Sequence, residues 1–298
     1  MKETTKIDTI EAYNQCFGLK TRHPLVSVVD LSQTTQWPDP LRFSYGIYAL
    51  FLKQVKCGNI QYGRQTYDYQ DGTIICFAPG QVAEVTSIPG ARPSAYGLLF
   101  HPDLIHGTAL GQEIKRYSFF SYAANEALHL SEEERQTILD TMRKIDRELD
   151  LPFDKHSRRL ITAHIGVLLD YCMRFYDRQF ATRSEVNNDV ITCFEQLLDG
   201  YFDTDAPQHE GLPSVRYFSD KVCLSPNYFG DLIRKLTGKT ASEHIQDRLI
   251  DRVKELLLSS GKTMSQIAYE LGFQHPQHLS RMFKRLTGMT PNEYRSVG

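Results

Sequence analysis

The sequence predicts an α+β protein of two domains, β-rich in its first part and all-α in its second. Three observations support this class. Short runs rich in β-branched and aromatic residues alternate with turn residues over positions 24–114. Helical periodicity replaces them from residue 131, and a segment near the C-terminus repeats at an offset of 50 residues. The 298 residues suffice for two ordinary domains.

The composition is that of a folded, water-soluble protein, with 41% hydrophobic and 23% charged residues. No run approaches the roughly 18 apolar residues of a membrane helix, and residues 1–10 lack an apolar signal core. We therefore expect a cytoplasmic protein without a membrane association. Six widely spaced cysteines without a CxxC pair predict reduced, buried thiols rather than disulfides or a zinc site.

The N-terminal region reads as a small β-barrel or sandwich, because residues 27–31 and 43–52 are strand-like and Gly58-Asn59, Asp71-Gly72 and Pro79-Gly80 mark turns. Its aromatic residues form either the barrel core or the lining of a small-ligand pocket. Strand alternation places Tyr45 and Phe51 on one face and Tyr48 on the other. The candidate pocket residues are Trp37, Tyr45, Tyr48 and Phe51.

Two amphipathic helices follow, at about 131–150 and 156–180, and the first opens with a capping box at Ser131 and Glu134. The second carries an apolar stripe that starts at Ile161. That stripe either covers the barrel or forms a dimer interface, and periodicity alone does not decide between them. We place the first domain at 1–182. A polar linker over 181–188, a helix over 190–202 and a polar loop over 203–213 precede the repeat.

The repeat pairs residues 226–240 with residues 276–290 and predicts two equivalent helices. Each copy starts with proline, which suits the first helical position, and ends at glycine, which suits a left-handed C-terminal cap. A shorter helix precedes each copy across a tight turn. These features predict two helix-turn-helix units, at about 214–238 and 263–288, joined by a helix over 243–258 within a domain spanning 187–298.

The repeated helices are apolar on one side and polar and basic on the other. Residues 212–298 hold 13 Lys and Arg against 8 Asp and Glu, which favours an anionic partner for this domain. The basic residues suit contacts to phosphates. The inward-facing residues are Phe229, Leu232, Ile233, Leu279, Met282 and Phe283, and the basic ones are Arg234, Lys235, Arg281, Lys284 and Arg285. The alternative is a helical repeat that binds no nucleic acid.

The C-terminal residues resemble the signature of the AraC/XylS family of bacterial transcriptional regulators. The matching residues are Ile267-Ala268, Leu271-Gly272-Phe273, residues 280–285, Thr287-Gly288, Thr290-Pro291 and Tyr294-Arg295. A looser similarity at Asp71-Gly72 and residues 77–80 implies a cupin-like sensing and dimerisation barrel. The resemblance implies a sequence-specific regulator, ligand-responsive and dimeric, with double-stranded DNA, RNA polymerase and an unidentified small-molecule effector as partners and no cofactor.

The resemblance also implies which residues meet DNA, with each second helix in the major groove and the two helices roughly 34 Å apart. Asn227, Gly230 and Asp231 face bases in the first unit, and Pro276, Gln277, Ser280 and Arg281 do so in the second. Ser225 and His278 join the basic residues at phosphates. Arg281 suits guanine and Gln277 suits adenine. Because Gly230 has no side chain and Asp231 is acidic, we expect the second unit to discriminate bases more strongly.

Two other classes of function are open but less favoured. A cupin enzyme would carry a closely spaced His pair, whereas His101 and His106 lie five residues apart, and we find no catalytic motif and no metal site. A helical interaction protein would need no basic helix face. We therefore expect a protein that is not an enzyme.

Overall fold

The computed structural model describes residues 4–34, 36, 41–53, 58–62, 65–68, 72–87, 94–123, 126–182 and 184–297. The chain divides into two compact units, Met1–Gln179 (unit 1) and Phe180–Gly298 (unit 2). Unit 1 is β-rich and unit 2 is helical, which confirms the predicted α+β class.

The described residues of unit 1 form two five-stranded sheets. The first has the order β1-β3-β8-β5-β6 and the second β10-β7-β4-β9-β2, and every pair is antiparallel except β1 with β3. The strands are β1 (Thr5–Ile7), β2 (Val26–Asp30), β3 (Leu41–Tyr45), β4 (Tyr48–Lys53), β5 (Gly58–Tyr62), β6 (Gln65–Asp68), β7 (Thr73–Phe77), β8 (Val82–Ser87), β9 (Ala95–Phe100) and β10 (Leu128–His129). Hydrogen bonds between the two sheets are not seen among the described strands, so a closed cupin-like barrel stays a prediction.

The interior of unit 1 is filled by aromatic and aliphatic side chains from both sheets. Tyr45 stacks on Phe77 with ring centroids 5.0 Å apart, and Phe51 lies in the same cluster. Tyr48 instead stacks on Phe100, at 4.9 Å, outside that cluster. The predicted alternation of Tyr45 and Phe51 against Tyr48 is therefore confirmed.

In the part of unit 1 that the structure describes, five α-helices lie wholly or mainly in this unit: α1 (Ile10–Cys16), α2 (Pro102–Ile105), α3 (Ala109–Glu113), α4 (Glu132–Glu148) and α5 (Ser157–Thr182). The predicted capping box at Ser131 and Glu134 is present. The Ile161 stripe is buried inside this one chain, and Cys172 on it adds to the effect of burial in raising the pKa of the Cys76 thiol of β7. The stripe covers the sheet, so its interpretation as a dimer interface is wrong.

Over its described residues, 180–182 and 184–297, unit 2 has eight further helices, which pack around a hydrophobic cluster. They are α6 (Ser184–Asp203), α7 (Ala206–Glu210), α8 (Val215–Lys221), α9 (Pro226–Thr237), α10 (Ala241–Ser259), α11 (Met264–Glu270), α12 (Pro276–Thr287) and α13 (Pro291–Val297). Across the described ranges, every helix is too short or too polar to cross a bilayer.

Three expectations are corrected, two about irregular segments and one about the burial of the cysteines. The linker expected over 181–188 is mostly helical, because Asn187 is buried and donates a hydrogen bond to the Phe180 carbonyl at 2.6 Å instead of facing water. The loop expected over 203–213 contains α7. The thiols of Cys193 and Cys223 are exposed. Cys193 lies beside the exposed residues Thr192 and Glu195 of α6, and Cys223 lies in the turn between α8 and α9, so neither occupies a core position.

Candidate nucleic-acid interface

Helices α9 and α12 have the same construction. Each spans 12 residues and begins with proline, at Pro226 and Pro276. Each ends at a glycine in the left-handed conformation, Gly238 with φ 76° and Gly288 with φ 79°. These ends match the sequence prediction, because proline lacks only a donor that the first turn does not need and glycine tolerates positive φ.

One side of each helix packs into the core of unit 2. Phe229, Leu232 and Ile233 are fully buried in α9, as are Leu279 and Phe283 in α12, which confirms their predicted inward orientation. Met282 is only partly buried. The opposite side of each helix is therefore the one that can meet a ligand.

The residues predicted to face bases share that opposite side, at the i, i+3 and i+4 spacing that aligns side chains along a helix. Asn227, Gln277 and Arg281 are exposed, and Gly230, Asp231, Pro276 and Ser280 are half-buried. The Ser280 hydroxyl donates to the Pro276 carbonyl at 3.2 Å, so only its oxygen lone pairs are open to a base. Of the residues of α12 predicted to face bases, Gln277 and Arg281 are therefore the ones with long, exposed polar side chains.

Cations flank both helices on the exposed side. Among the described residues, Arg234, Arg281 and Lys284 form no ion pair with a carboxylate, whereas Lys239 pairs with Asp247 at 2.8 Å. Charges without a protein partner gain most from an external anion. The predicted phosphate contacts Arg234, Lys235, Lys284, Arg285 and His278 are exposed and Ser225 is half-buried.

The helices that precede α9 and α12 complete two helix-turn-helix units, as predicted. Thr263 and Gln266 form the expected capping box at the start of α11. The turn between α8 and α9 passes through Cys223 with φ 59°, and the turn between α11 and α12 passes through Gly272 with φ 82°. Both turns thus reverse the chain through one left-handed residue.

Two further interactions hold the frame on which these helices lie. The backbone N–H of Thr240 donates to Glu243 and thereby lowers the pKa of that carboxyl. The Arg295 guanidinium donates to the Leu257 carbonyl at 3.1 Å and to the Lys262 carbonyl at 2.6 Å, which ties α13 to the C-terminal end of α10. In the sequence, Arg295 stands out only as part of the family signature, and no local pattern predicts this structural role.

The first turns of α9 and α12 differ in their packing, which the repeat did not reveal. Tyr228 is buried, with its ring edge-on to Phe180 at 5.0 Å. His278, its counterpart, is exposed and contacts the ring of His275 at 5.4 Å. A difference in residue type at one repeat position, tyrosine against histidine, is the signal that could have predicted this.

The residues predicted for a ligand pocket do not come together in unit 1. Tyr45 and Phe51 belong to the interior cluster, Tyr48 lies on the other face, and Trp37 falls outside the described residues. Burial raises the pKa of the Tyr45 phenol.

The histidines considered for a metal site lie on the surface of unit 1 beside one carboxylate. His101 and His106 approach Asp103 at 3.4 and 3.3 Å. In the part of the chain that the structure describes, His, Cys, Asp and Glu side chains form no group of three that could hold a metal.

Comparison with known proteins assigns the second unit. Residues 218–296 match the family described as "Helix-turn-helix domain". The C-terminal unit is an AraC-type helix-turn-helix domain. The resemblance seen in the sequence is thereby confirmed. It rests on the unit that carries α9 and α12.

The relatives of this AraC-type domain match over part of their length. The chain is 35% identical over 78 residues to the "Uncharacterized transcriptional regulatory protein YesN" of Bacillus subtilis, covering 26% of this chain and 21% of that protein. It is 29% identical over 102 residues to the "Arabinose operon regulatory protein" of Salmonella typhimurium, covering 34% and 32%. The chain thus spans less than a third of these curated relatives.

A solved structure with similarity is the C-terminal domain of AraT, a response regulator from Geobacillus stearothermophilus. The TM-score is 0.33 at 21% identity, and the alignment covers 37% of this chain and 85% of that one.

Proposed function

We propose that this chain is a transcriptional regulator that binds double-stranded DNA, with α9 and α12 in successive stretches of the major groove. One observation carries the proposal. Two equivalent helices of an AraC-type domain each keep one polar face clear of the core, and Arg234 of α9 and Arg281 and Lys284 of α12 form no ion pair with a carboxylate among the described residues. Phosphate contacts supply most of the affinity of such a surface, and base edges supply its specificity.

The two helices contribute unequally to base discrimination. Arg281 can donate two hydrogen bonds to guanine and Gln277 can pair with adenine. At the matching positions of α9, Gly230 offers no side chain and Asp231 repels phosphate unless it accepts from a cytosine amine. We expect Arg281→Ala to relax discrimination across a set of operator variants much more than Asp231→Ala. Equal losses from the two substitutions would show that the helices read bases equally.

Unit 1 serves in this proposal as a cupin-like sensing and dimerisation domain of a cytoplasmic regulator that acts on RNA polymerase. Two clefts have the volume of a small-molecule site. One of about 620 Å³ lies between β2 and α4, and one of about 590 Å³ lies between α3 and α5. Leu160 and Val167 of α5 are 45% and 46% exposed, and they offer apolar surface to a second copy in place of the buried Ile161 stripe.

A competition titration of the full chain tests the DNA-binding proposal. Fluorescence anisotropy of a labelled duplex pool is followed as unlabelled nonspecific DNA is added, first at low and then at physiological salt. We expect the chain to bind the labelled duplexes at low salt, and a subset of their sequences to stay bound when nonspecific DNA is added. The variant Arg281→Ala with Lys284→Ala serves as the control and loses the surviving subset. The proposal is overturned if the wild-type chain binds none of the duplexes at low salt.

A further inference from the structure

The segment between α6 and α8, residues 204–213 with α7 at its centre, forms a compact structure that we call the α7 bridge. The Gly211 N–H donates to the Pro207 carbonyl at 3.0 Å, and the Tyr201 hydroxyl donates to the Gly211 carbonyl at 2.8 Å. Gly211 has φ 83° and ψ −157°, a backbone region that is essentially restricted to glycine. The bridge therefore has one defined conformation rather than that of a loose loop.

The bridge touches the turn of the second helix-turn-helix unit, backbone against backbone. A Cβ atom placed on Gly272 would lie 2.4 Å from the Pro207 carbonyl oxygen and 2.9 Å from the Gly211 Cα. Side-chain carbons do not approach other atoms so closely, so this contact has no room even for a methyl group. Gly272 thus meets two needs, a left-handed turn and direct contact with the bridge.

The C-terminal end of the bridge leads directly into the first helix-turn-helix unit. The chain passes from Gly211 to Ser214, whose hydroxyl accepts a hydrogen bond from the Tyr217 N–H at 3.1 Å and caps α8. The rings of Tyr201 and Tyr217 lie 5.1 Å apart. A segment that is fixed to α8 therefore also contacts the turn between α11 and α12.

Helix α10 also connects the two helix-turn-helix units. It packs through Ile245 and Leu249 in its first half and through Leu256 and Leu257 near its end. A straight helix fixes the distance between the two helix-turn-helix units at its ends. Each of these units can still rotate about the helix axis, and at each end only the side-chain packing on the helix opposes that rotation. A second contact away from that axis removes the rotation, because two separate attachments define an orientation.

We propose that the α7 bridge fixes the angle between α9 and α12 and so restricts the separation of the two major-groove segments that the protein accepts. The bridge is a positioning element, and this inference rests on the proposed function. Rigid presentation of two linked sites raises affinity for one geometry and lowers it for the others, because the ordering cost is already met in the free protein.

The test uses the full chain and a duplex that the wild-type chain selects from a random pool. Derivatives of that duplex move the two contacted segments together or apart by one to four base pairs. Gly211→Ala strains the bridge outside both helix-turn-helix units. Gly200→Ala in α6 is the matched control, because a Cβ atom there meets nothing within 4 Å.

We expect the wild-type chain and Gly200→Ala to lose at least about tenfold in affinity when the spacing changes. Gly211→Ala should bind the selected duplex about tenfold more weakly and the altered duplexes within about twofold of that value. Circular dichroism confirms folding, and Tyr201→Phe, which deletes only the hydroxyl bonded to Gly211, gives the same test if Gly211→Ala does not fold. A folded variant with the wild-type spacing profile overturns the inference, whereas a wild-type chain that retains no duplex overturns the proposed function instead.

Discussion

Loss of the Arg295 side chain should destabilise unit 2 far more than loss of an ordinary surface arginine. Its guanidinium donates to the carbonyls of Leu257 and Lys262, at 3.1 and 2.6 Å, and is partly buried. A hydrogen bond from a charged donor contributes about 1.5–3 kcal/mol. A cation near a helix C-terminus adds about 0.3–1 kcal/mol. Allowing for partial solvation of the carbonyls in the variant, we expect Arg295→Ala to lower the free energy of unfolding by about 2–3 kcal/mol.

The matched control is Arg252→Ala on α10. Arg252 pairs with Glu255 at 2.8 Å, three residues away on the same helix face, and that carboxylate is half-exposed. Such a pair is worth about 0.3–0.5 kcal/mol. Equilibrium unfolding in urea, followed by far-UV circular dichroism, measures both variants. Because the two units can unfold separately, the transition that shifts is the one compared. Equal losses from the two substitutions would refute the role assigned to Arg295.

Three further outcomes follow from the same geometry. Gly272→Ala should lower the free energy of unfolding in urea by about 1–3 kcal/mol more than Gly288→Ala does. Both glycines have positive φ, but only at position 272 would the new Cβ atom meet a neighbouring backbone. Equal losses would argue against tight contact with the α7 bridge. Lys284→Ala should make the fall of log affinity with log salt less steep, with a slope smaller in magnitude by about one. Lys239→Ala should leave the slope nearly unchanged, because the Lys239 ammonium is paired with Asp247. Anisotropy titrations at several salt concentrations check this, and equal slopes for the two variants would contradict it. Because the pKa of Glu243 is lowered, the stabilising contribution of its carboxylate is present above the ordinary glutamate pKa and is lost as pH falls through the lowered pKa. Glu243→Ala should therefore flatten the acid side of the plot of unfolding free energy against pH. An unchanged plot would show that Glu243 is not a source of that slope.

The repeated helices could be predicted because local rules define them. Pro226 and Pro276 mark the starts, Gly238 and Gly288 mark the ends, and apolar spacing between them defines the buried face. Each of these signals depends on neighbours within about one helical turn. The capping box at Thr263 belongs to the same class, and all of these features are present in the structure.

The α7 bridge could not be predicted for the opposite reason. Its helix has five residues, too few to show a period, and its conformation depends on the Tyr201 hydroxyl and on contact with the turn at Gly272, which follows 61 positions after Gly211. The residues between Asp203 and Pro213 are polar and rich in proline and glycine, which is typical of a loop.

The Ile161 stripe shows a second limit. An apolar face with helical period predicts that something covers it, but the same period fits a partner chain or the protein's own sheet. Only the neighbouring surface, here β7 with Cys76, decides between them. Asn187 gives the converse case, because a polar residue inside the expected linker is buried once the Phe180 carbonyl accepts a hydrogen bond from its side-chain amide.

Hydroxyl-radical footprinting of the full chain on its selected duplex locates both helices on the DNA in a single experiment. We expect two protected stretches on one face of the duplex, about one helical turn apart, and loss of sequence preference in the stretch under α12 when Arg281 is replaced by alanine. A duplex protected along one stretch only, or uniformly along its length whatever its sequence, would contradict the assignment of α9 and α12 as paired DNA-reading helices.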